Sequence, residues 1–240
     1  VAVPALSLVI PCYNEARNLP LLIGRLEESF GTDCDAEVIL VDNGSTDDSP
    51  AILSALRGHA VIRSTRVEVN QGYGFGVLAG LRAARGAYLG WTHADMQTDP
   101  ADALRALEVA RARGGETYVK GRRTGRPLGD AIFTVGMSLF ETALLGTALW
   151  DINAQPNLFP RAFYEAVADG APHDFSLDLY FYHAARRRGL QIERIPVRFG
   201  QRAHGVSHWN VNWRGKRKFI ERTVRFSFEL RQRLAAARSA

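Results

Sequence analysis

Short apolar runs alternate with amphipathic stretches along the first half of the chain. Leu6-Ser-Leu-Val-Ile10, stopped by Pro11, predicts a buried strand. Leu19, Leu22, Ile23, Leu26 and Phe30 recur at helical spacing and predict a helix over 18–30. Glu37-Val-Ile-Leu-Val41 predicts a second buried strand, 49–56 a helix, 60–63 a weak third strand, 76–85 a helix and 87–92 a fourth strand. The helix predicted over 100–113 has a proline near its start and Gly114-Gly115 at its end. Strand and helix in alternation imply an α/β fold, a mostly parallel sheet with helices on both faces.

The second half is less regular. It predicts a strand over 117–120, a long apolar helix over 131–149, a helix over 178–187 closed by Gly189, and an alternating strand over 190–199. From Trp209 the chain turns basic and helical. No linker interrupts it, so the expected organisation is one domain over 1–208 with a basic amphipathic extension over 209–240.

Composition narrows the classes. Lys and Arg outnumber Asp and Glu by 30 to 25 in 240 residues, an excess that bears on partners rather than on fold. Two cysteines, Cys12 and Cys34, do not make a disulfide framework and point to a reducing, cytoplasmic compartment. No run approaches the ~18 apolar residues of a membrane span, and no signal leader is expected. Basic residues among aromatics bring no nucleic-acid motif with them.

Ligands of parallel α/β sheets sit beyond the carboxyl ends of the strands. Three such ends here are polar: Pro11-Cys-Tyr-Asn-Glu15, Asp42-Asn-Gly-Ser-Thr-Asp47 and His93-Ala-Asp-Met-Gln97. Any one could be an ordinary turn. Three carboxylate-bearing ends in succession repel one another unless a cation or polyhydroxyl ligand occupies the crevice.

In order and spacing, these segments resemble the inverting family-2 glycosyltransferases of the GT-A fold. The likeness is strongest to the polyprenyl-phosphate sugar synthases of the dolichyl-phosphate mannose synthase kind. It runs over residues 6–225, through Val9-Ile-Pro-Cys-Tyr-Asn-Glu15, Val41-Asp-Asn-Gly-Ser-Thr-Asp47, Asn70-Gln-Gly-Tyr-Gly-Phe-Gly76 and Ala83-Ala-Arg-Gly-Ala-Tyr-Leu89. The resemblance implies that Pro11, Tyr13, Glu15, Leu40 and Asp42 line a base and ribose pocket. It implies that Ala94 lies against the donor and that Asp95 and Gln97 hold Mg²⁺ or Mn²⁺ at the donor diphosphate. Such a metal takes oxygen ligands shared with phosphates and stabilises the departing nucleoside diphosphate.

Two positions depart from the family pattern. His93 stands where an Asp-x-Asp site has its first carboxylate, and His208 stands where Arg202-Ala-His-Gly-Val-Ser-His208 would end in lysine. With both imidazoles neutral the site charge is unchanged, as in a compensating pair. His93 is then a metal ligand suited to Mn²⁺ better than Mg²⁺, a hydrogen-bond donor to a phosphate, or a histidine packed at a strand end.

The same resemblance brings Arg123 of Val119-Lys-Gly-Arg-Arg123 to the donor phosphates. It brings Arg202 to the donor diphosphate or the acceptor phosphate. Asp151 falls on the acceptor side or in a turn. Asp178 opens a helix as an acceptor-orienting group or base, or as a first-turn carboxylate favoured by the helix dipole. Asn157 replaces the usual lysine. Gly74-Phe-Gly76 also fits a loose dinucleotide fingerprint, but it does not follow the first strand, so the glycines are expected to allow close backbone approach instead.

Phe219, Ile220, Val224, Phe226, Phe228, Leu230 and Leu234 form a stripe in the basic C-terminal segment. Such a helix either packs on its own domain or lies on an anionic membrane surface through 209–238. The expected activity is therefore inverting transfer of a sugar from a nucleoside-diphosphate sugar to a polyprenyl phosphate at the inner membrane face. A saccharide or other hydroxyl acceptor, and a non-catalytic nucleotide-sugar-binding protein, are the alternatives.

Overall fold

Seven strands build one sheet in the computed structural model, which describes residues 3–31, 34–126, 128–205 and 213–239. They are β1 (Leu6–Cys12), β2 (Ala36–Asn43), β3 (Ile62–Val67), β4 (Tyr88–Trp91), β5 (Thr117–Thr124), β6 (Asn157–Pro160) and β7 (Gln191–Arg198). Their order is β3-β2-β1-β4-β6-β5-β7. Only β6 runs antiparallel to its neighbours, pairing with β4 and β5. The apolar runs of β1 and β2 are buried along nearly their whole length, as strands covered on both faces must be.

Helices α1 (Leu19–Ser29), α2 (Ser49–Ser54) and α4 (Asp102–Arg113) cover one face. The other face carries α3 (Tyr73–Ala83), α6 (Arg161–Val167) and α7 (Leu177–Arg187). Leu19, Leu22 and Leu26 of α1 are fully buried, each contributing about 2 kcal/mol of apolar burial. The α3 glycines permit close approach. A Cβ on Gly80 would lie 2.3 Å from Val9 Cγ1, and one on Gly74 would lie 2.6 Å from the Pro172 carbonyl oxygen. The helix follows β3, so its glycines serve packing, not a dinucleotide turn after β1.

Strand β6 and helix α6 are absent from the sequence reading. Asn157-Leu-Phe-Pro160 is too short for periodicity to register, and its strand character comes from pairing with β4 and β5. Strand β5 runs on to Thr124, four residues past the predicted end, and α5 (Leu128–Leu145) starts and stops earlier than predicted.

Helix α8 (Trp213–Ser239) packs on α5. Phe226 and Leu230 are buried with Leu145, Leu149, Ile152, Leu179 and Tyr182, and Leu234 packs against them. Much of the C-terminal apolar stripe is thus spent on the chain's own body. The interface also buries Glu141 of α5. Ser227 Oγ lies 2.8 Å from Glu141 Oε1 and 2.8 Å from the Thr223 carbonyl oxygen. A hydroxyl has one proton, so a proton on Glu141 is what satisfies both contacts.

Burial pushes the Glu141 carboxyl up to about 7, with the Ser227 bond pulling the other way. The folded chain then holds a proton that the unfolded chain releases between pH 4.5 and about 7, and stability falls as pH rises through that window. Glu141→Gln should therefore raise stability at pH 8, on the order of 3 kcal/mol, and change it little at pH 5. Chemical denaturation at the two pH values checks this.

Candidate active site

The polar ends of β1, β2 and β4 open at one edge of the sheet. After β1, Asn14 takes a left-handed φ of 55° and its side chain accepts the Thr46 N–H at 2.8 Å. Asn14 N donates to Ser45 Oγ, and Glu15 N to Ser49 Oγ. These bonds lock the β1 and β2 loops together. Asp42 is buried, accepts the Ser45 N–H at 2.9 Å and pairs with Arg66 at 3.1 Å. Burial raises the Glu15 carboxyl, opposed by a hydrogen bond from Asn18 and reinforced by nearby Asp95. Tyr13 is exposed and Pro11 half-buried.

After β4, Asp95 is nearly buried, and each carboxylate oxygen has a partner. Oδ1 accepts the Gln97 N–H at 3.1 Å, and Oδ2 meets Arg202 at 2.8 Å. Gln97 and Gly200 exchange two further bonds, Gln97 Nε2 to Gly200 O at 3.1 Å and Gly200 N to Gln97 O at 2.7 Å. Asn18 Nδ2 donates to the His204 carbonyl at 3.2 Å. The segment after β7 is thereby strapped across the carboxyl ends of β1 and β4, which delivers Arg202 to Asp95. Ala94 is buried beside them.

His93 sits among the charges of this edge. Burial holds its imidazole below the ordinary value, against the pull of Asp95 and Asp178 and helped by Arg202 and Arg123. The ring rests on Tyr73, with centroids 5.5 Å apart, and Tyr73 stacks on Phe175 at 4.7 Å.

Behind this aromatic group lies a buried polar network that the sequence reading missed. Lys120 of β5 is fully buried. Its ammonium donates to the Ala154 carbonyl at 2.9 Å and Asn157 Oδ1 at 2.7 Å, and stands 4.0 Å from Asp178 Oδ1. Asp178 Oδ1 also accepts Gln155 Nε2 and Asn157 Nδ2, both at 2.8 Å. Asn157 Oδ1 further accepts the Tyr118 hydroxyl at 3.0 Å. Lys120 and Asn157 are register partners across β5 and β6, so the cation comes from the strand opposite Asn157.

One expectation is corrected. Leu40 is fully buried in the core on the α1 side of the sheet and offers no surface to a nucleotide. As the fifth residue of a strand covered on both faces, it is packing rather than pocket. Arg123 is already held by Asp151, through Nε at 2.8 Å, a second guanidinium nitrogen, and its own N–H to Oδ2 at 3.0 Å. Arg126 and Arg194 approach the same carboxylate at 3.8 Å. Burial alone would raise the Asp151 carboxyl, but Arg123 keeps it below the ordinary range. Arg123 also lines a cleft with Phe133, Met137, Glu141, Phe175 and Leu179. His208 lies outside the described residues.

A mostly parallel sheet that gathers a carboxylate–guanidinium pair, an imidazole and aromatic rings at its carboxyl edge is an α/β ligand-binding enzyme architecture. The profile of Glycosyl transferase family 2 matches residues 7–149, more than half of the chain. The chain belongs to that family and is a glycosyltransferase. It is 28% identical over 214 residues to polyprenol monophosphomannose synthase of Mycolicibacterium smegmatis, covering 83% of this chain and 78% of the relative. It is 27% identical over 208 residues to undecaprenyl-phosphate 4-deoxy-4-formamido-L-arabinose transferase of Sodalis glossinidius, covering 85% of this chain and 63% of the relative. The chain thus spans less than two thirds of the second relative. A mannosyltransferase from Pyrobaculum calidifontis, solved with GDP-Man and Mn²⁺, superposes with a TM-score of 0.63 at 19% identity, over 85% of this chain and 59% of that one. The fold is GT-A.

Proposed function

We propose that the enzyme transfers a sugar, with inversion, from a nucleoside-diphosphate sugar to a polyprenyl phosphate at the cytoplasmic face of a membrane. The observation that carries the donor half is the Asp95–Arg202 pair at 2.8 Å. It supports this reading because an anion-binding guanidinium beside a carboxylate at a strand end suits a metal-carrying diphosphate. Pro11, Tyr13, Glu15 and Asp42 surround the nucleoside, and Ala94 and His93 lie under the sugar and diphosphate. The acceptor half is supported by the two relatives named for polyprenyl and undecaprenyl acceptors.

The residues fit a divalent metal that arrives with the diphosphate. Among the described residues no group of three or more His, Cys, Asp or Glu side chains is arranged to hold an ion. Asp95 supplies one carboxylate, the Gln97 side-chain oxygen is left over by the bond its Nε2 makes, and His93 adds a nitrogen. The remaining ligands must be phosphate oxygens and water, the sharing usual for Mg²⁺ and Mn²⁺. When bound, the ion neutralises charge on the leaving nucleoside diphosphate. The chain's own part is to fix that charge against Arg202.

A second acceptor class, a hydroxyl, would call on Asp178 as its base. Asp178 Oδ1 is committed to Gln155, Asn157 and Lys120, whereas no hydrogen bond reaches Oδ2 from the described residues. A hydroxyl acceptor needs a base, and Asp178, 1% exposed behind Tyr73, would have to be uncovered to serve as one, whereas a phosphate acceptor is already anionic and needs none. Incubation with radiolabelled nucleotide-sugars, polyprenyl phosphate and Mn²⁺, Mg²⁺ or chelator separates the two. Label moving into an organic-extractable phosphate ester is the expected result. Label appearing only in water-soluble glycosides defeats the lipid reading.

A further inference from the structure

Large exposed apolar side chains gather on one part of this molecule. Ile132, Phe133, Leu139 and Phe140 lie on α5, Trp150 lies just beyond it, and Phe228 lies on α8. On α5 they fall on one face. Residues 132, 136, 139, 140 and 143 are exposed at helical spacing, while Ser138, Glu141 and Leu145 are buried. Between residues 131 and 145 Glu141 is the single charged residue, and it is turned inward onto Ser227. The outward face of α5 therefore carries no charge over four turns. Clustered apolar exposure of this kind marks a contact surface, whereas scattered exposed leucines do not.

The adjoining α8 is the opposite in character. Its exposed residues include Arg217, Arg222, Arg225, Arg231 and Arg233 against Glu221 and Glu229. Arg217 is paired with Glu221, and Arg222 stands 3.8 Å from Asp174. Arg225, Arg231 and Arg233 have no ion-pair partner among the described residues.

We propose that the outward face of α5 seats in the interfacial layer of an anionic lipid bilayer, with the arginines of α8 on the surrounding headgroup phosphates. An apolar face and a cationic neighbour match the two layers of such a surface. A second copy of the chain would satisfy the apolar face but bring two cationic helices together. The apolar contact comes from α5 because the α8 residues Phe226 and Leu230 are buried on the chain's own body. The contact lies on the surface and does not span it, since no described helix is long and apolar enough to cross a membrane. Phe133 and Met137, on or beside the exposed face, also line the cleft that reaches Arg123, so a lipid acceptor would enter from the seated side. That last step rests on the proposed function; the seating itself does not.

Sedimentation of the full chain with vesicles tests the seating without any sugar transfer. Vesicles of phosphatidylglycerol and phosphatidylcholine should bind the chain at least tenfold more tightly than phosphatidylcholine alone, and 0.5 M salt should weaken that preference. Combined Ile132→Ser, Leu139→Ser and Phe140→Ser should lower the partition at least tenfold with an unchanged melting temperature. Arg225→Gln with Arg231→Gln and Arg233→Gln should lower it on anionic vesicles only. If the folded serine variant binds as the parent does, or if the parent ignores anionic vesicles, the proposal is overturned. A dimer in light scattering that the serine variant dissolves, without vesicle binding, also overturns it. Vesicle binding without lipid glycosylation leaves the seating intact and counts against the acceptor reading alone.

Discussion

Asp95→Asn should lower kcat by about two to three orders of magnitude while the protein stays folded, the scale seen when one charge-stabilising group is removed from a transition state. The variant keeps the shape of the side chain, and its amide oxygen can still accept the Gln97 N–H that Asp95 Oδ1 accepts at 3.1 Å. What it loses is the charge opposite Arg202. Arg202 is held over the strand ends by the Gln97–Gly200 bonds as well as by Asp95, so it remains nearby but no longer aimed. The loss should fall on kcat more than on KM, because the donor contacts proposed for Tyr13, Glu15 and Asp42 are untouched. Steady-state kinetics beside a thermal melt reads both. Arg202→Ala should show a comparable loss, and the double variant should cost much less than the two losses combined, since the pair acts as one unit. Full additivity would mean that the two residues serve separate steps.

The β1 and β2 strands were legible because both faces are covered, so their side chains form unbroken apolar runs bounded by polar loops. Asp95 was legible for the same reason. A carboxylate just past a buried strand stands out against Ala87-Tyr-Leu-Gly-Trp-Thr92. The partner of that carboxylate was reached through family likeness, because Arg202 lies in a segment with no periodicity of its own. Leu40 shows the limit of carrying roles over by position, since a strand residue near a pocket can still point into the core. Strand β6 was invisible because four residues beginning with Asn and ending with Pro carry no period. Its existence depends on β4 and β5 lying either side.

The same limit hid the polar network. A buried lysine and a solvated one look alike in sequence, and Lys120 sits in Val119-Lys-Gly-Arg-Arg123 beside cations that are partly exposed. Only the pairing of β5 with β6 and the packing of α7 bring Lys120, Asn157 and Asp178 together.

That network supports the largest expected effect on stability. Lys120→Met should destabilise the fold by about 3–5 kcal/mol, the cost of breaking a buried ionic group by removing one partner. Methionine fills much the same volume, so little of the loss is cavity. It leaves the Ala154 carbonyl without its 2.9 Å donor, takes one of two donors from Asn157 Oδ1, and, below about pH 7 where the amine is charged, removes the cation 4.0 Å from Asp178. The gap between parent and variant should also depend on pH. Burial pulls the Lys120 ammonium down to about 7 from its ordinary 10.5, with Asp178 opposing. Between those values the unfolded chain binds the proton that the folded chain has released, so the parent gains stability from this group as pH rises. The variant has no such group. Its deficit should therefore widen between pH 7 and 9.5, by up to about 1 kcal/mol per unit, as read from paired urea titrations. Lys120→Met with Asp178→Asn should recover part of the loss at pH 7, because no unpaired carboxylate then remains under Gln155 and Asn157. A double variant as unstable as the sum of the two singles would show that Lys120 packs beside Asp178 without answering its charge.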